Sequence, residues 1–337
     1  MPPRPRLNAA LRAQDMPPHF RHLDGLFTNS RGQKLSYLAL FPPLETPLRA
    51  VVVYLHGIGD HSRRYFHLYE HLCRLQIGVF AYDLLSHGKS ESDHPKRRAH
   101  SSKFHHFVDD TNDFLSFLQT KLYAQLQLEA KPKLLLAGLS FGSLVGLHTV
   151  LCEKHTFHGI ILIAPALLVE MTLMLKVQAL FARPLSKFFP RARITPGVNQ
   201  KYLCRDPEFV DNFMSDPLTV SEKLTARMGA EGLKAMKALA KEKRVEEKGS
   251  VLCRVPMLMM MGSNDKVTSF ELAQTFYDRL AASDKEFKIF DGYYHVLFDD
   301  PESDAVFAHL EKWIQKTVPL PEEQQARAVD DTVKMRL

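Results

Sequence analysis

The stretch KLLLAGLSFGSLVGLHTVLC, residues 133–152, joins two apolar segments through the pentapeptide Gly138-Leu-Ser-Phe-Gly142. The apolar run Lys133–Ala137 predicts a buried strand, and the residues after the pentapeptide predict a helix. A G-x-S-x-G pentapeptide between a strand and a helix is typical of a nucleophile elbow, a turn so tight that residues two away from the serine must be small. The serine then projects from the end of the strand, so Ser140 is the candidate nucleophile. The backbone N–H of Phe141 lies at the helix N-terminus, where it can donate to a developing oxyanion.

Short β-rich apolar runs alternate with helical stretches along the chain. This alternation predicts an α/β fold with a mainly parallel central sheet and helices on both faces. His22–Thr28 and Lys34–Phe41 are expected to pair antiparallel around the turn at Asn29–Gly32. The other expected strands are Val51–Leu55, Ile77–Tyr82, Lys133–Ala137, Gly159–Ala164, Pro256–Met261 and Glu286–Phe290. Besides the helix after Ser140, Phe107–Leu122 and Ser303–Lys316 are expected to be helical.

About ninety residues separate the strands expected at 159–164 and 256–261. We expect an inserted helical cap at 166–255, within a core formed by residues 20–165 and 256–318. Thr219–Glu222 matches a capping box, and the apolar residues Leu224, Met228, Met236 and Leu239 follow at roughly helical spacing. Leu167–Phe181 is apolar almost all round, but it is too short and too charged for a membrane span. Residues 1–19 are expected to be a flexible leader and 319–337 a polar tail.

An acid and a histidine follow the last two expected strands. Asp265 ends the loop Gly262-Ser-Asn-Asp265, and His295 ends the loop Asp291-Gly-Tyr-Tyr-His295. The carboxyl ends of these strands open at the same sheet edge as Ser140, and the chain order serine, acid, histidine is the order this architecture requires. We therefore predict His295 as the general base and Asp265 as the acid that orients it.

The loop after Val51–Leu55 is expected to supply a second oxyanion donor. His56-Gly-Ile-Gly59 offers glycines for close backbone approach, and the N–H of Ile58 is the predicted donor. His56 itself is expected to pack the loop rather than to act in catalysis.

Composition restricts the classes of protein that fit. Apolar residues make up 45% and charged residues 24% of the 337, which is typical of a globular chain. The four cysteines are widely spaced without a CxxC pair, which argues against a disulfide framework and a metal site and favours a cytoplasmic location.

Residues 166–255 carry 16 basic and 10 acidic side chains, so this segment holds the whole net charge of +6. A basic, apolar cap suggests peripheral contact with a membrane surface, although a solvated helical face fits as well. The short basic clusters lack interleaved aromatic residues, so nucleic-acid binding is not expected.

Six motifs in order give the chain a family resemblance. They are HGIGDHSRRY (56–65), SHGKS (86–90), GLSFG (138–142), SDPL (215–218), GSND (262–265) and YHVL (294–297). The chain resembles the monoacylglycerol lipase and lysophospholipase-like branch of the α/β-hydrolases, from about residue 20 to residue 316. The resemblance implies an α/β-hydrolase fold and a cofactor-free serine esterase, whose lipid ester substrate places one acyl chain in a tunnel under the cap.

The resemblance also implies residues for the lipid headgroup. Asp60 and Arg64 match the acidic and arginine positions of the rim that holds glycerol in monoacylglycerol lipases. Phe213 occupies a position that is often tyrosine in such lipases. Phe298 occupies a position that is polar in them. The headgroup, glycerol or lysophospholipid, therefore stays open.

Two other functions compete with lipid ester hydrolysis. A thioesterase or peptidase could use the same scaffold, since fold and triad do not fix the leaving group. A binding protein that has lost catalysis is the alternative from another class, but Ser140, Asp265 and His295 are all present.

Overall fold

The computed structural model describes residues 19–128, 131–167, 186–320 and 323. Eight strands form one sheet and two short ones form a ribbon. The strands are β1 (Arg21–Thr28), β2 (Lys34–Phe41), β3 (Ala50–Leu55), β4 (Ile77–Tyr82), β5 (Leu134–Leu139), β6 (Gly159–Ile163), β7 (Arg193–Thr195), β8 (Leu224–Thr225), β9 (Met257–Gly262) and β10 (Lys285–Phe290). The longer helices are α1 (Phe66–Arg74), α2 (His105–Phe117), α3 (Phe141–Leu151), α4 (Pro207–Ser215), α5 (Ala226–Ala240), α6 (Phe270–Arg279) and α7 (Asp304–Thr317).

The large sheet has the order β1-β2-β4-β3-β5-β6-β9-β10. The hairpin β1–β2 joins β4 antiparallel, and every pairing from β4 to β10 is parallel. The predicted α/β-hydrolase architecture is confirmed, and each expected strand lies within two residues of its predicted bounds. The predicted helix Phe107–Leu122 begins two residues earlier and continues past α2 as one π-helical turn, Leu118–Leu122.

Both faces of the sheet are buried, as the apolar runs require. In β5, Leu134 and Leu136 point into one core while Leu135, Ala137 and Leu139 point into the other. This follows from the two-residue period of a strand. Helices α2, α3 and α6 cover the first face, and α1 and α7 cover the second. The carboxyl ends of β3, β5, β9 and β10 are thereby fixed on rigid strands at one edge.

The insertion between β6 and β9 carries α4, α5 and the β7–β8 ribbon. The helix expected to start at Thr219–Glu222 begins instead at Ala226, where Thr225 Oγ1 accepts from the Met228 N–H at 3.2 Å. The capping-box prediction was wrong because both of its side chains have other partners. The Thr219 hydroxyl donates to the carbonyls of Phe213 in α4 and of Asp216 just after it, and Glu222 pairs with Arg193 at 3.0 Å.

Several predictions fall outside the described residues. They concern the leader up to residue 18, most of the apolar stretch Leu167–Phe181, and the tail beyond residue 320 apart from residue 323. Leu167 itself is described and is buried in the core. In the described part of the chain, no helix has the length and apolar character to span a bilayer.

Candidate active site

The elbow around Ser140 is held in a conformation that side chains seldom adopt. Ser140 has φ 53° and ψ −114°, and its N–H donates to the Ile163 carbonyl at 2.9 Å. A Cβ on Gly138 would lie 2.6 Å from the backbone of residue 142, and one on Gly142 would lie 2.1 Å from the Leu55 carbonyl oxygen. Both positions therefore need glycine because the neighbouring backbone leaves no room for a Cβ atom. This is the physical reason for the two glycines of the G-x-S-x-G pattern. A backbone conformation like that of Ser140 costs about 1–3 kcal/mol, and the surrounding structure holds the residue in it.

The predicted base and acid are in contact. His295 Nδ1 lies 2.8 Å from Asp265 Oδ2, and both side chains are buried. Because a carboxylate only accepts, the ring proton sits on Nδ1 and Nε2 carries the free lone pair. Gly262 allows the two loops to approach, since a Cβ there would lie 2.3 Å from the Tyr293 carbonyl oxygen.

Asp265 is kept ionised by its hydrogen bonds. Its Oδ1 accepts from the backbone N–H groups of Val267 and Thr268 at 2.7 and 3.0 Å, and its Oδ2 accepts from the Thr268 hydroxyl at 2.7 Å. Burial alone would raise the pKa of Asp265, but the neighbouring His295 and the bonds from Thr268 hold it below its usual value. Thr268 is a residue that sequence reasoning missed. The feature of the sequence that could have identified Thr268 is its position, three residues after Asp265.

Other carboxylates near His295 have different partners. Asp300 forms a two-pronged contact with Arg205, and Asp299 lies 3.4 Å from His67 Nε2. Asp265 is therefore the acid that the described structure brings to the histidine.

The two predicted oxyanion donors lie where the loops after β3 and β5 meet. Neither the Ile58 nor the Phe141 amide hydrogen has an acceptor among the described residues. His56 holds the first loop in place, because its Nε2 accepts from the Leu84 N–H at 2.9 Å while its Nδ1 lies 2.8 Å from the Gly57 carbonyl. Burial lowers the pKa of His56, so this ring is a neutral structural link.

One cleft contains most of the predicted residues. Ser140, His295, Ile58, Asp60 and Phe213 all line it, and the cavity between them has a volume of about 30 Å³. Its walls are mostly apolar, formed by Ile58, Leu139, Val198, Leu203, Phe209, Phe213, Val220, Leu224 and Val296. Ser140 is 5% exposed and His295 2%, so the reacting groups are shielded from bulk water.

Two of the predicted headgroup residues, Arg64 and Phe298, do not line the cleft, although Arg64 Nε lies 3.5 Å from Asp60 Oδ1 on its wall. Phe298 is buried against Phe307, with ring centres 4.9 Å apart, on the far side of the sheet from α3. Arg64 turns toward the cap, where its Nη1 donates to Asn212 Oδ1 at 2.9 Å and its guanidinium lies 5.1 Å from the Phe213 ring centre. Asp60 is on the cleft, but its carboxylate already accepts from the Tyr65 hydroxyl and from the His61 N–H.

A set of contacts that we call the cap clamp ties the loop after β3 to the cap. His61 Nε2 lies 2.9 Å from Asp216 Oδ2, and the Val220 N–H donates to the Gly59 carbonyl at 2.7 Å. Burial would raise the pKa of Asp216, but the bond from His61 and the nearby Arg64 lower it to about 2. The clamp was not predicted, although both of its halves fall within motifs of the sequence.

This arrangement is suited to nucleophilic acyl transfer. A hydroxyl on a strained turn, an imidazole oriented by a carboxylate and the loop that carries the Ile58 N–H line one apolar cleft, and Phe141 follows the serine directly. No group of three or more His, Cys, Asp or Glu side chains in the described ranges could hold a metal ion.

Comparison with known proteins agrees with this geometry. A family model described as serine aminopeptidase, S33, matches residues 46–302. The human monoglyceride lipase is 30% identical over 305 residues, which is 90% of this chain and 91% of that protein. Among solved structures, the monoacylglycerol lipase of Paleococcus ferrophilus superposes with a TM-score of 0.67 at 27% identity, covering 84% of this chain and 99% of that one. A soluble variant of the Saccharomyces cerevisiae monoglyceride lipase, bound to a substrate analogue, has a TM-score of 0.74 at 23% identity and covers 93% and 98%.

Proposed function

Because the chain belongs to the serine aminopeptidase S33 family, and within it to the monoglyceride lipase branch, we propose that it hydrolyses carboxylic esters of single-chain lipids. The observation that carries this proposal is that Ser140 and His295 line the same apolar cleft, with His295 held by the buried Asp265.

The reaction follows from the geometry. Ser140 Oγ attacks the ester carbonyl while His295 Nε2 takes its proton, and the charge that develops on the carbonyl oxygen is held by the N–H groups of Ile58 and Phe141. His295 then protonates the leaving alcohol, which departs and leaves an acyl-enzyme. Water attacks the acyl carbon with His295 again as base, releasing the fatty acid and restoring Ser140. Asp265 stays ionised throughout and stabilises the imidazolium.

The cleft walls support an acyl chain as the bound group. Nine apolar side chains face the space beside Ser140. Each CH₂ group of a substrate that leaves water for such a surface contributes about 0.8 kcal/mol to binding. Long-chain esters are therefore expected to be preferred to acetate esters.

A peptidase acting on free amino termini is disfavoured by the charges at the cleft. Such a substrate needs a free carboxylate for its ammonium group. Among the described residues, the carboxylates that line the cleft are Asp60, which accepts from Tyr65, and Glu222, which pairs with Arg193.

The test is fatty-acid release from monoacylglycerol and lysophosphatidylcholine, measured side by side with Ser140→Ala as the control. Release from monoacylglycerol that disappears in the variant supports the proposal and assigns glycerol as a tolerated headgroup, even though Phe298 lies outside the cleft. Release from the lysolipid alone assigns the chain as a lysophospholipase. Hydrolysis of an aminoacyl anilide with no fatty-acid release from either lipid would overturn the proposal, as would failure of a fluorophosphonate to label Ser140.

We also propose peripheral contact between the cap and a membrane, because the lipid substrate resides there and the segment 166–255 holds the net positive charge. The cytoplasmic location stays a prediction of the cysteine content.

A further inference from the structure

The loop that carries His295 joins β10 to α7 and spans residues 291–303, and we call it the histidine loop. It is bonded to one short segment of the cap, residues 203–206, which directly precedes α4. Next to the catalytic histidine, the Val296 N–H donates to the Leu203 carbonyl at 2.7 Å. The position of the histidine therefore depends on a part of the cap as well as on the sheet.

An ion pair adds a charged contact between the same two segments. Arg205 Nε lies 3.0 and 3.1 Å from the two carboxylate oxygens of Asp300, and Arg205 Nη2 also contacts this carboxylate and that of Glu302. The Asp300 side chain is fully buried, whereas that of Arg205 is 31% exposed. A buried carboxylate needs such a partner, because its removal from water is costly unless a charged donor compensates.

The buried carboxylate also reaches the backbone beside the catalytic histidine. Asp300 Oδ2 accepts from the Tyr294 N–H at 3.4 Å, and Tyr294 directly precedes His295. Val296, which directly follows the histidine, donates to the cap as described above. The backbone is therefore held on both sides of His295, on one side by the cap and on the other by a carboxylate that the cap neutralises.

We propose that Arg205 and Asp300 are positioning residues for the catalytic base. Their ion pair fixes the loop in which His295 meets Asp265 at 2.8 Å and lines the cleft. Both residues act through the backbone of the histidine loop, and neither lines the cleft. This inference rests on the hydrolytic function proposed above, to which it adds one residue from the cap and one from the core.

The walls of the cleft have separate supports. Phe209 and Phe213 lie on α4 and line the cleft. The far end of this helix is held by Arg64, whose Nη1 lies 2.9 Å from Asn212 Oδ1 and 3.3 Å from Asp216 Oδ2. Breaking the ion pair leaves these contacts in place. We therefore expect its loss to lower kcat on a soluble ester while KM stays near the parental value.

The test compares kcat, KM and urea denaturation for R205Q, D300N and the double variant R205Q/D300N. R205Q leaves a buried carboxylate unpaired, so it should lose stability as well as kcat. D300N and the double variant remove the buried charge, so they should fold and still lose up to about 10²-fold in kcat, as expected for a small misplacement of the base. R205K keeps one charged donor and should recover part of the rate.

The rate of reaction with a fluorophosphonate gives a second readout that needs no lipid. It depends on Ser140 and His295, so it should fall in parallel with kcat. A parent protein that reacts with the fluorophosphonate but releases no fatty acid would count against the lipid substrate and leave this comparison intact.

The matched control is R244Q, which breaks another contact between cap and core. Arg244 Nη1 lies 2.9 Å from the Leu151 carbonyl and 3.3 Å from Glu153, and Arg244 does not line the cleft. R244Q should keep the parental kcat and labelling rate. Equal kcat in R205Q/D300N and R244Q would overturn the proposal. So would a raised KM with unchanged kcat, or a loss of activity that only matches the loss of folded protein.

Discussion

The substitution Gly142→Ala tests whether backbone packing at the elbow determines both folding and catalysis. Helix propensity alone predicts a gain in stability, because alanine is favoured over glycine inside a helix by about 0.5–1 kcal/mol. The structure predicts a loss of both stability and activity. The added Cβ would lie 2.1 Å from the Leu55 carbonyl oxygen and 2.7 Å from that of His56, and backbone atoms cannot rotate away as a side chain can.

Relief of this contact requires the loop after β3 to move by about 1 Å, and a misplacement of that size typically costs about 10²-fold in rate. The loop carries the Ile58 N–H, so the loss should appear in kcat. Overpacking of this kind also lowers the free energy of unfolding by about 1–3 kcal/mol.

Gly146→Ala is the matched control on the same helix. Its Cβ would lie 3.2 Å from a methyl group of Leu136, which can yield slightly, so stability and activity should stay near the parental values. The measurements are urea denaturation and kcat on a soluble ester for both variants. If Gly142→Ala were as stable and as active as Gly146→Ala, the packing argument for the elbow would be refuted.

Three further changes address the acid, the elbow and a buried carboxyl. Asp265→Asn should lower kcat by about 10⁴-fold, because the amide no longer holds the His295 tautomer; activity within tenfold of the parent would mean that another acid serves. Ser143→Ala removes a hydroxyl that donates to the Gly138 carbonyl at 2.5 Å, and urea denaturation should show a loss of about 1 kcal/mol. Burial raises the pKa of Asp110 from 3.8 to about 7, so the folded state binds an extra proton and loses stability as pH rises through that range. Asp110→Asn should flatten this decline, and parallel stability–pH curves for the two proteins would contradict the assignment.

The centre of the sheet was predictable because its strands are short and buried on both sides. Runs such as VVVYL and GIILI have few alternatives to a buried parallel strand, and the observed bounds differ by no more than two residues. The cap was harder because its helices bury one side only and its turns depend on distant partners. Thr219 fits a capping box locally, yet its hydroxyl donates to the Phe213 carbonyl in the preceding helix, α4.

The catalytic groups were predictable for a related reason. Ser140 follows β5 directly, and Asp265 and His295 lie in the short loops after β9 and β10, so the sheet brings all three to one edge. Residues held by side-chain contacts were not predictable in this way. Phe298 and Arg64 match positions of a headgroup rim, but packing against Phe307 and bonding to Asn212 direct them elsewhere.

The cap clamp limits how this enzyme can be recombined with its relatives. His61 and Gly59 belong to the core, whereas Asp216 and Val220 belong to the insertion, and each bond of the clamp needs one partner from either side. A chimera that imports a segment 206–222 without an acid at position 216 would leave the buried His61 imidazole without its carboxylate. The side chains at positions 61 and 216 are therefore coupled across the two parts of the chain. Exchange of this cap segment between family members preserves the clamp only where both side chains are kept.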